Sequence, residues 1–315
     1  MKEFSQRDVP WMKSGVNVID RAVTAAEAAE LAGMSFEVEL WPMRAHPPED
    51  APKKTLDRFA EDGIDVSDRF AVVRTDTGLS LATVGTHYHT LNYGEAFDFM
   101  DTIEPRYVAA GVRRGGREGY MVVQAPEHLA VDLLDGEDKH DLYVVLRTSH
   151  DGSKKVEASV LPLRDKCTNM MSLRGFATGA PRAWGITHTS TMREKLAEAQ
   201  RSLSNLDTYV DDLEKTAARL AAIDVELEQA RRVLEWALPN RPKRDEQVSA
   251  ILSLYESSPN NGYTGTGWGL VNATTEWLDW GRESRSADAR FINGLAGYGH
   301  RTVNRVAGRL FSRAA

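Results

Sequence analysis

Five cations at two glycine-bearing turns are the residues best suited to chemistry: Arg113, Arg114 and Arg117 in Arg113-Arg114-Gly115-Gly116-Arg117-Glu118-Gly119, and Lys154 and Lys155 after Asp151-Gly152-Ser153. A guanidinium donates two parallel hydrogen bonds to a phosphate, and glycine lets a phosphodiester backbone come close. Arg164, Lys166 and Arg174 flank Cys167 and extend the positive charge. Tyr107 and Tyr120 bracket the first turn, with His87, Tyr88 and Tyr93 upstream. Stacking of an unpaired base on such a ring contributes roughly 1 to 3 kcal/mol. The combination points to single-stranded nucleic acid, with the cations on phosphates and Tyr107 or Tyr120 on bases. A plainer explanation exists for every one of these residues: lysine and arginine at hairpin tips solvate turns, and many tyrosines pack in cores. Between Arg106 and Arg174 basic and acidic residues nearly balance, so only sorting in space makes a patch.

Other chemistry finds less support. His87-Tyr88-His89 places two imidazoles on one face of a strand, but no cysteine or carboxylate completes a metal set, and no metal or other cofactor is expected. Lys166 beside Cys167 favours a thiolate, yet Thr168-Asn169 is no nucleophile signature, so the cysteine reads as structural. His188 reads as a buried hydrogen-bonding group. Gly111 to Gly119 lacks the strand-loop-helix setting of a dinucleotide site, and no Gly-x-x-x-x-Gly-Lys-Ser/Thr loop occurs. Gly262 to Gly269, with Tyr263 and Trp268, precedes a helix whose Trp277 and Trp280 serve as core anchors. No enzyme is expected.

The elements that must position these residues follow from the pattern. Thr24 to Ala32 reads as a short helix closed by Gly33, Phe36 to Trp41 as a strand, and the prolines from Pro42 to Pro52 make Trp41 to Lys54 a loop. Phe70 to Arg74 with Leu79 to Gly85, Arg106 to Val112 with Tyr120 to Ala125, and Leu142 to His150 with Lys155 to Leu163 read as three hairpins. Tyr93 to Ile103 has helical spacing. After Pro181 the chain turns helical, with a capping box at Thr191 to Glu194. Leu196, Ala199, Leu203, Leu206, Val210, Leu213, Ala217 and Leu220 then form a heptad seam suited to a partner helix. Further helices are expected from Asp224 to Leu238, Glu246 to Glu256, Gly267 to Gly281 and Asp288 to Phe311. The fold class is α+β, a mainly antiparallel β-hairpin core with a helical C-terminal part. Its expected divisions are an irregular N-terminal segment (1–65), a β-rich core (66–185) and a helical domain (186–315).

With 42% hydrophobic residues in 315, the chain can bury a substantial core. A net charge of −7 means that any nucleic-acid site is local. One cysteine excludes an internal disulfide. No apolar run spans a bilayer, and Lys2, Glu3, Arg7 and Asp8 stand where a signal peptide would be apolar, so the expectation is a cytoplasmic protein.

Several motifs occur in a specific order: Arg113 to Arg117, Leu146 to Gly152, Lys166-Cys167-Thr168-Asn169, His188-Thr189 before a long helix, Gly265 to Trp268, and Asn272 to Glu276. From about Arg69 onward the chain thereby resembles the phage/plasmid-like protein family. Departures are Arg164-Asp165-Lys166, where that family usually has arginine and two valines, and Met170-Met171 in place of threonine-leucine. The resemblance implies a domain of unknown function in a phage or plasmid, hence a bacterial host cell. The element order is also similar to single-strand annealing proteins of the eukaryotic recombination type, which implies a homo-oligomer assembled into a ring with a basic groove for single-stranded DNA. The leading expectation is accordingly a homo-oligomeric protein that binds single-stranded DNA and promotes annealing in recombination or replication. The rival is a module that binds a host or phage protein, for example to block a defence system.

Overall fold

The computed structural model describes residues 17–19, 21–103, 106–125, 130–136, 138–164, 169–174, 176, 183–195, 206–259, 261–284 and 286–314. In chain order the elements are β1 (Asn17–Val18), α1 (Ala25–Leu31), β2 (Val38–Ala45), α2 (Lys53–Phe59), β3 (Ile64–Arg74), β4 (Ser80–Gly85), α3 (Tyr93–Phe97), β5 (Arg106–Arg113), β6 (Glu118–Gln124), β7 (Val131–Asp132) and α4 (Leu133–Gly136). They continue with β8 (Asp138–Ser149), β9 (Val156–Arg164), β10 (Ala183–Ile186), α5 (Leu206–Ala221), α6 (Leu227–Ala237), α7 (Arg244–Ser257), α8 (Gly267–Glu276), α9 (Ala287–Ala296) and α10 (Tyr298–Ala314). The class is α+β, with all strand pairs antiparallel among the described residues.

Strands β1, β5, β6, β8, β9 and β10 lie side by side in that order, with β7 paired to β8, while β2, β3 and β4 form a separate three-stranded sheet. Both faces of the larger sheet are buried. Met121, Val123, Val144, Leu146, Ala158 and Val160 point into the main core, which the helices share. Tyr120, Val122, Val145, Leu161 and Leu163 point the other way, under Phe291 and Leu295 of α9. The uninterrupted apolar run of β8 is what a strand covered on both faces requires.

The N-terminal segment differs from the irregular stretch expected. β2 continues through Pro42 to Ala45 and pairs with β3, with a bulge at Pro42/Met43. Proline is tolerated there because β2 is an edge strand and the bulge releases a ladder bond. The expected boundary after residue 65 falls inside β3, within one sheet. The expected Asp288–Phe311 helix is broken at Gly297, whose backbone leaves the helical region. Of the heptad seam, Leu196, Ala199 and Leu203 lie outside the described residues. The described half is not an open seam: Leu206, Leu213, Ala217 and Leu220 are buried in the chain's own core, where α5 packs on α8.

Two buried polar junctions join sheet to helices. Asp138, at the start of β8, accepts from Arg164 Nε at 2.5 Å through Oδ1 and from Trp268 Nε1 at 2.8 Å through Oδ2. All three side chains are essentially inaccessible. In the second junction, the segment after β9 is clamped by the helical part. Met170 N–H donates to Asp279 Oδ2 at 2.7 Å, Ser172 Oγ to the Gly294 carbonyl at 2.6 Å, and Trp280 Nε1 to Asn169 Oδ1 at 2.9 Å. Burial raises the Asp279 carboxyl to about 7, against the opposing pull of the Met170 N–H and Arg290.

Removing one partner of a buried ion pair strands the other, at a cost of about 3 to 5 kcal/mol. Arg164→Met is therefore expected to lower the denaturation midpoint strongly, and Asp138→Leu in the same chain to restore part of the loss. Equal stability of Arg164→Met and the parent in urea denaturation would show that the junction carries no such weight.

Candidate nucleic-acid interface

Strand register brings the two basic turns together. β6 pairs with β8 so that Glu118 faces Ser149, and just beyond that pair His150 N–H donates to the Arg117 carbonyl at 2.8 Å. The second tip is closed by the Asp151 carboxylate, which accepts from Ser153 N–H at 2.9 Å, and by Gly152 at φ 69°. Two further segments reach the same end of the sheet. The turn after β4 carries His87 to His89, and His89 N–H donates to the His188 carbonyl at 3.2 Å, just after β10. Between them lies an open cleft of about 410 Å³ lined by His87, Tyr88, Lys154, Lys155, Thr187 and Thr189, among others.

The floor beside this cleft is aromatic and uncharged. Tyr88 stacks on His188 at 5.1 Å between ring centroids, and His150 lies 4.2 Å from Tyr93 and 5.8 Å from Phe36. His188 Nε2 shares a hydrogen bond with Thr148 Oγ1 at 3.0 Å, and the Tyr88 hydroxyl donates to the Ser149 carbonyl at 3.2 Å. Neither ring nitrogen of His150, nor Nδ1 of His188, has a hydrogen-bond partner among the described residues. Burial pushes the His150 imidazole down to about 3, helped by nearby His188 and Arg74 and opposed by Asp151, and burial lowers His188 as well. Both rings are neutral at physiological pH, and burial raises the Tyr88 phenol, which stays protonated.

Lys154 and Lys155 make the edge of the cleft cationic, and the Arg113–Arg117 turn that adjoins their tip is partly compensated. Arg117 and Lys155 are exposed and Lys154 is half-buried. Arg114 is exposed yet pairs with Glu118 at 3.0 Å, and Arg113 pairs with the other Glu118 oxygen at 3.2 Å. Two of the turn's glycines serve the protein's own packing and not a phosphate: a Cβ on Gly116 would lie 2.9 Å from the Phe36 ring, and one on Gly119 2.5 Å from Tyr93. Gly115 alone of the turn's three central positions faces open space at φ 70°.

Of the residues expected from sequence to bind nucleic acid, the structure gathers Arg113, Arg114, Arg117, Lys154 and Lys155 at one end of the sheet. It withdraws three others. Arg164 is buried on Asp138 at the far end of β9, so no phosphate reaches it. Tyr107 is buried and its hydroxyl donates to Asp101 at 2.7 Å, while Tyr120 is buried 5.7 Å from Phe291, so neither offers a face to a base. Arg174 is exposed but belongs to the clamped segment, its N–H donating to Asn304 of α10 at 2.9 Å. Lys166 and Cys167 lie outside the described residues. His87 and His89 sit on a turn, not a strand, and no metal-binding group of three or more ligands occurs among the described residues. Tyr88 is the ring that lines the cleft, a place visible only once β4 and β10 are brought beside the second tip.

A family model described as a domain of unknown function (DUF932) matches residues 80–295, a span that includes every residue of the cleft. No curated protein and no solved structure matches the chain.

The two buried titrations leave a signature in stability. His150 is held neutral in the fold but binds a proton near pH 6.5 when unfolded, so its contribution is full above that pH and is lost as pH falls. Asp279 does the reverse: the native state holds its proton up to about pH 7 and the unfolded chain releases it near 4, so its contribution shrinks as pH rises between those values. Asp279→Asn is expected to make the melting temperature climb more steeply between pH 4 and 6.5 than in the parent, and His150→Phe to make it climb less. Parallel curves for parent and variants would refute both assignments.

Proposed function

The chain belongs to the DUF932 family, and we propose that it works there as a binder of single-stranded nucleic acid, through the cleft beside its β8–β9 hairpin tip. The observation that carries this reading is a lysine-bearing tip on an aromatic-lined opening, with a second, sequence-distant basic turn adjoining that tip. Lys154 and Lys155 line the cleft and supply phosphate contacts, Arg114 and Arg117 on the adjoining turn extend them, Thr187 and Thr189 add hydroxyls, and Tyr88 supplies a ring against a neutral floor. A single strand suits the cleft better than a duplex, because only unpaired bases turn a face toward an aromatic ring. The reading assigns a holding role and no bond-breaking step: annealing requires only that strands be kept extended and close. A phage or plasmid setting, with the protein acting in recombination or replication, is part of the same proposal. Self-association would use a surface other than the described half of the heptad seam, which is already buried.

Phosphate binding releases counterions, so affinity must fall with salt, with a log–log slope that drops by about one for each phosphate contact removed. Fluorescence anisotropy of a labelled single strand is expected to show salt-sensitive binding, weaker for a duplex, and a slope lowered by up to about three in Arg117→Ala/Lys154→Ala/Lys155→Ala. Salt-independent affinity, or an unchanged slope in the triple variant, would count against the cleft.

A further inference from the structure

A second basic face surrounds α10, far in sequence from the hairpin tips. Arg301, Arg305, Arg309 and Arg313 recur at every fourth residue of this 17-residue helix, which contains no acidic residue in a chain of net charge −7. Four residues advance about 6 Å along a helix, so the cations form a regular row that winds slowly around it. Arg301, Arg305 and Arg313 are exposed and Arg309 partly so. None of the four has an ion-pair partner among the described residues.

Aromatic rings hold the surrounding guanidinium groups in place. Arg305 and Arg309 each lie 5.1 Å from the Trp236 ring, and Arg305 Nη2 donates to the Trp236 carbonyl at 3.1 Å. On the other flank, Arg219 lies 4.6 Å from Phe311 and Arg174 4.8 Å from Phe176, and those two rings are 5.3 Å apart. Contacts of this kind occur roughly once per 70 to 80 residues, so four around one helix are a concentration. A guanidinium packed by its face on a ring keeps its N–H edge for a two-pronged acceptor and loses little freedom on binding. Arg309 Nε is buried without a partner among the described residues, and Trp236 is 47% exposed.

We propose that this face binds a single nucleic-acid strand, its arginines taking phosphate oxygens and the open edge of Trp236 an unstacked base. A phosphodiester chain fits because it repeats one charge per nucleotide, as the helix repeats one cation every fourth residue. The inference rests on nucleic acid being this protein's ligand but uses different residues from the cleft. It gives each chain two strand-binding faces, enough to hold two strands for annealing without a ring. Arg174, grouped by sequence with the hairpin cations, belongs here.

The test compares three variants of the full chain: Arg305→Ala/Arg309→Ala, Arg301→Ala/Arg313→Ala, whose side chains do not pack on Trp236, and Lys154→Ala/Lys155→Ala at the cleft. Circular dichroism checks folding, and a fluorescein-labelled oligothymidine of roughly 30 nucleotides is the probe, with an equal-length duplex as control. Each α10 variant is expected to bind fewer strands per chain at saturation, with a salt slope lower by about two and about tenfold weaker binding at that face. If both α10 variants keep the parent's slope and stoichiometry while the cleft variant loses binding, the inference is overturned and the cleft reading stands. If the cleft variant binds as the parent does and the α10 variants do not, the cleft reading falls and this face stands. Equal affinity for the duplex overturns the single-strand assignment, and no binding by the parent overturns both.

Discussion

Asp138 carries a carboxylate into the interior of this protein, where Arg164 from the same sheet and Trp268 from the helical part each donate to one of its oxygens. A charge moved out of water loses several kcal/mol of hydration, which only a partner with close geometry offsets. Neither half of the fold can satisfy that carboxylate alone. The sheet supplies the guanidinium, the helices supply the indole, and the two halves are thereby fixed in one arrangement. Hydrophobic burial gives most of the stability, as the continuous core shared by sheet and helices shows. Burial is non-directional, whereas the polar junction is satisfied only when sheet and helices meet in this register.

That arrangement determines what the surface can do. β8 and β9 run from the Asp138–Arg164 junction to the hairpin tip, so anchoring one end of the pair positions Lys154 and Lys155 at the other. The clamped segment from Asn169 to Arg174 then hands the chain to the helical side, where Ser172 and Arg174 hold α10 through His300 and Asn304. Cations are thus sorted to the tips at one end and to α10 on the helical side, while the whole chain stays acidic. A local field of one sign on a protein of the other sign attracts a polyanion to chosen places and discourages indiscriminate binding.

The neutral imidazoles under the cleft complement this sorting. His150 and His188 are kept uncharged by burial, so neither buried ring adds charge to the opening near neutrality. Tyr88, stacked on His188, links the strand-end turns to the second hairpin and keeps the opening shaped.

Local pattern along the chain is enough to specify the individual elements. Alternation of apolar residues and glycine-bearing turns specify the three hairpins, because strand period and turn chemistry depend only on neighbouring residues. It also determined the helices from Leu227 to Ser257, which begin and end within a few residues of the expected bounds. Where proline met a bulge, at Pro42, and where Gly297 broke a helix, local signals were present but their outcome depended on edge position and packing. Which polar and aromatic side chains face water depends instead on how the elements pack. Arg164 and Arg174 look alike in sequence, yet one is buried on a carboxylate contributed from 26 residues earlier and the other lies exposed beside α10. Tyr107, Tyr120 and Tyr88 are likewise equivalent by type, and the register of β5, β6 and β8 buries the first two while the approach of two loops leaves the third lining a cleft. Burial and charge pairing are set by contacts between residues distant in the chain, so no window of sequence, however well patterned, contains them.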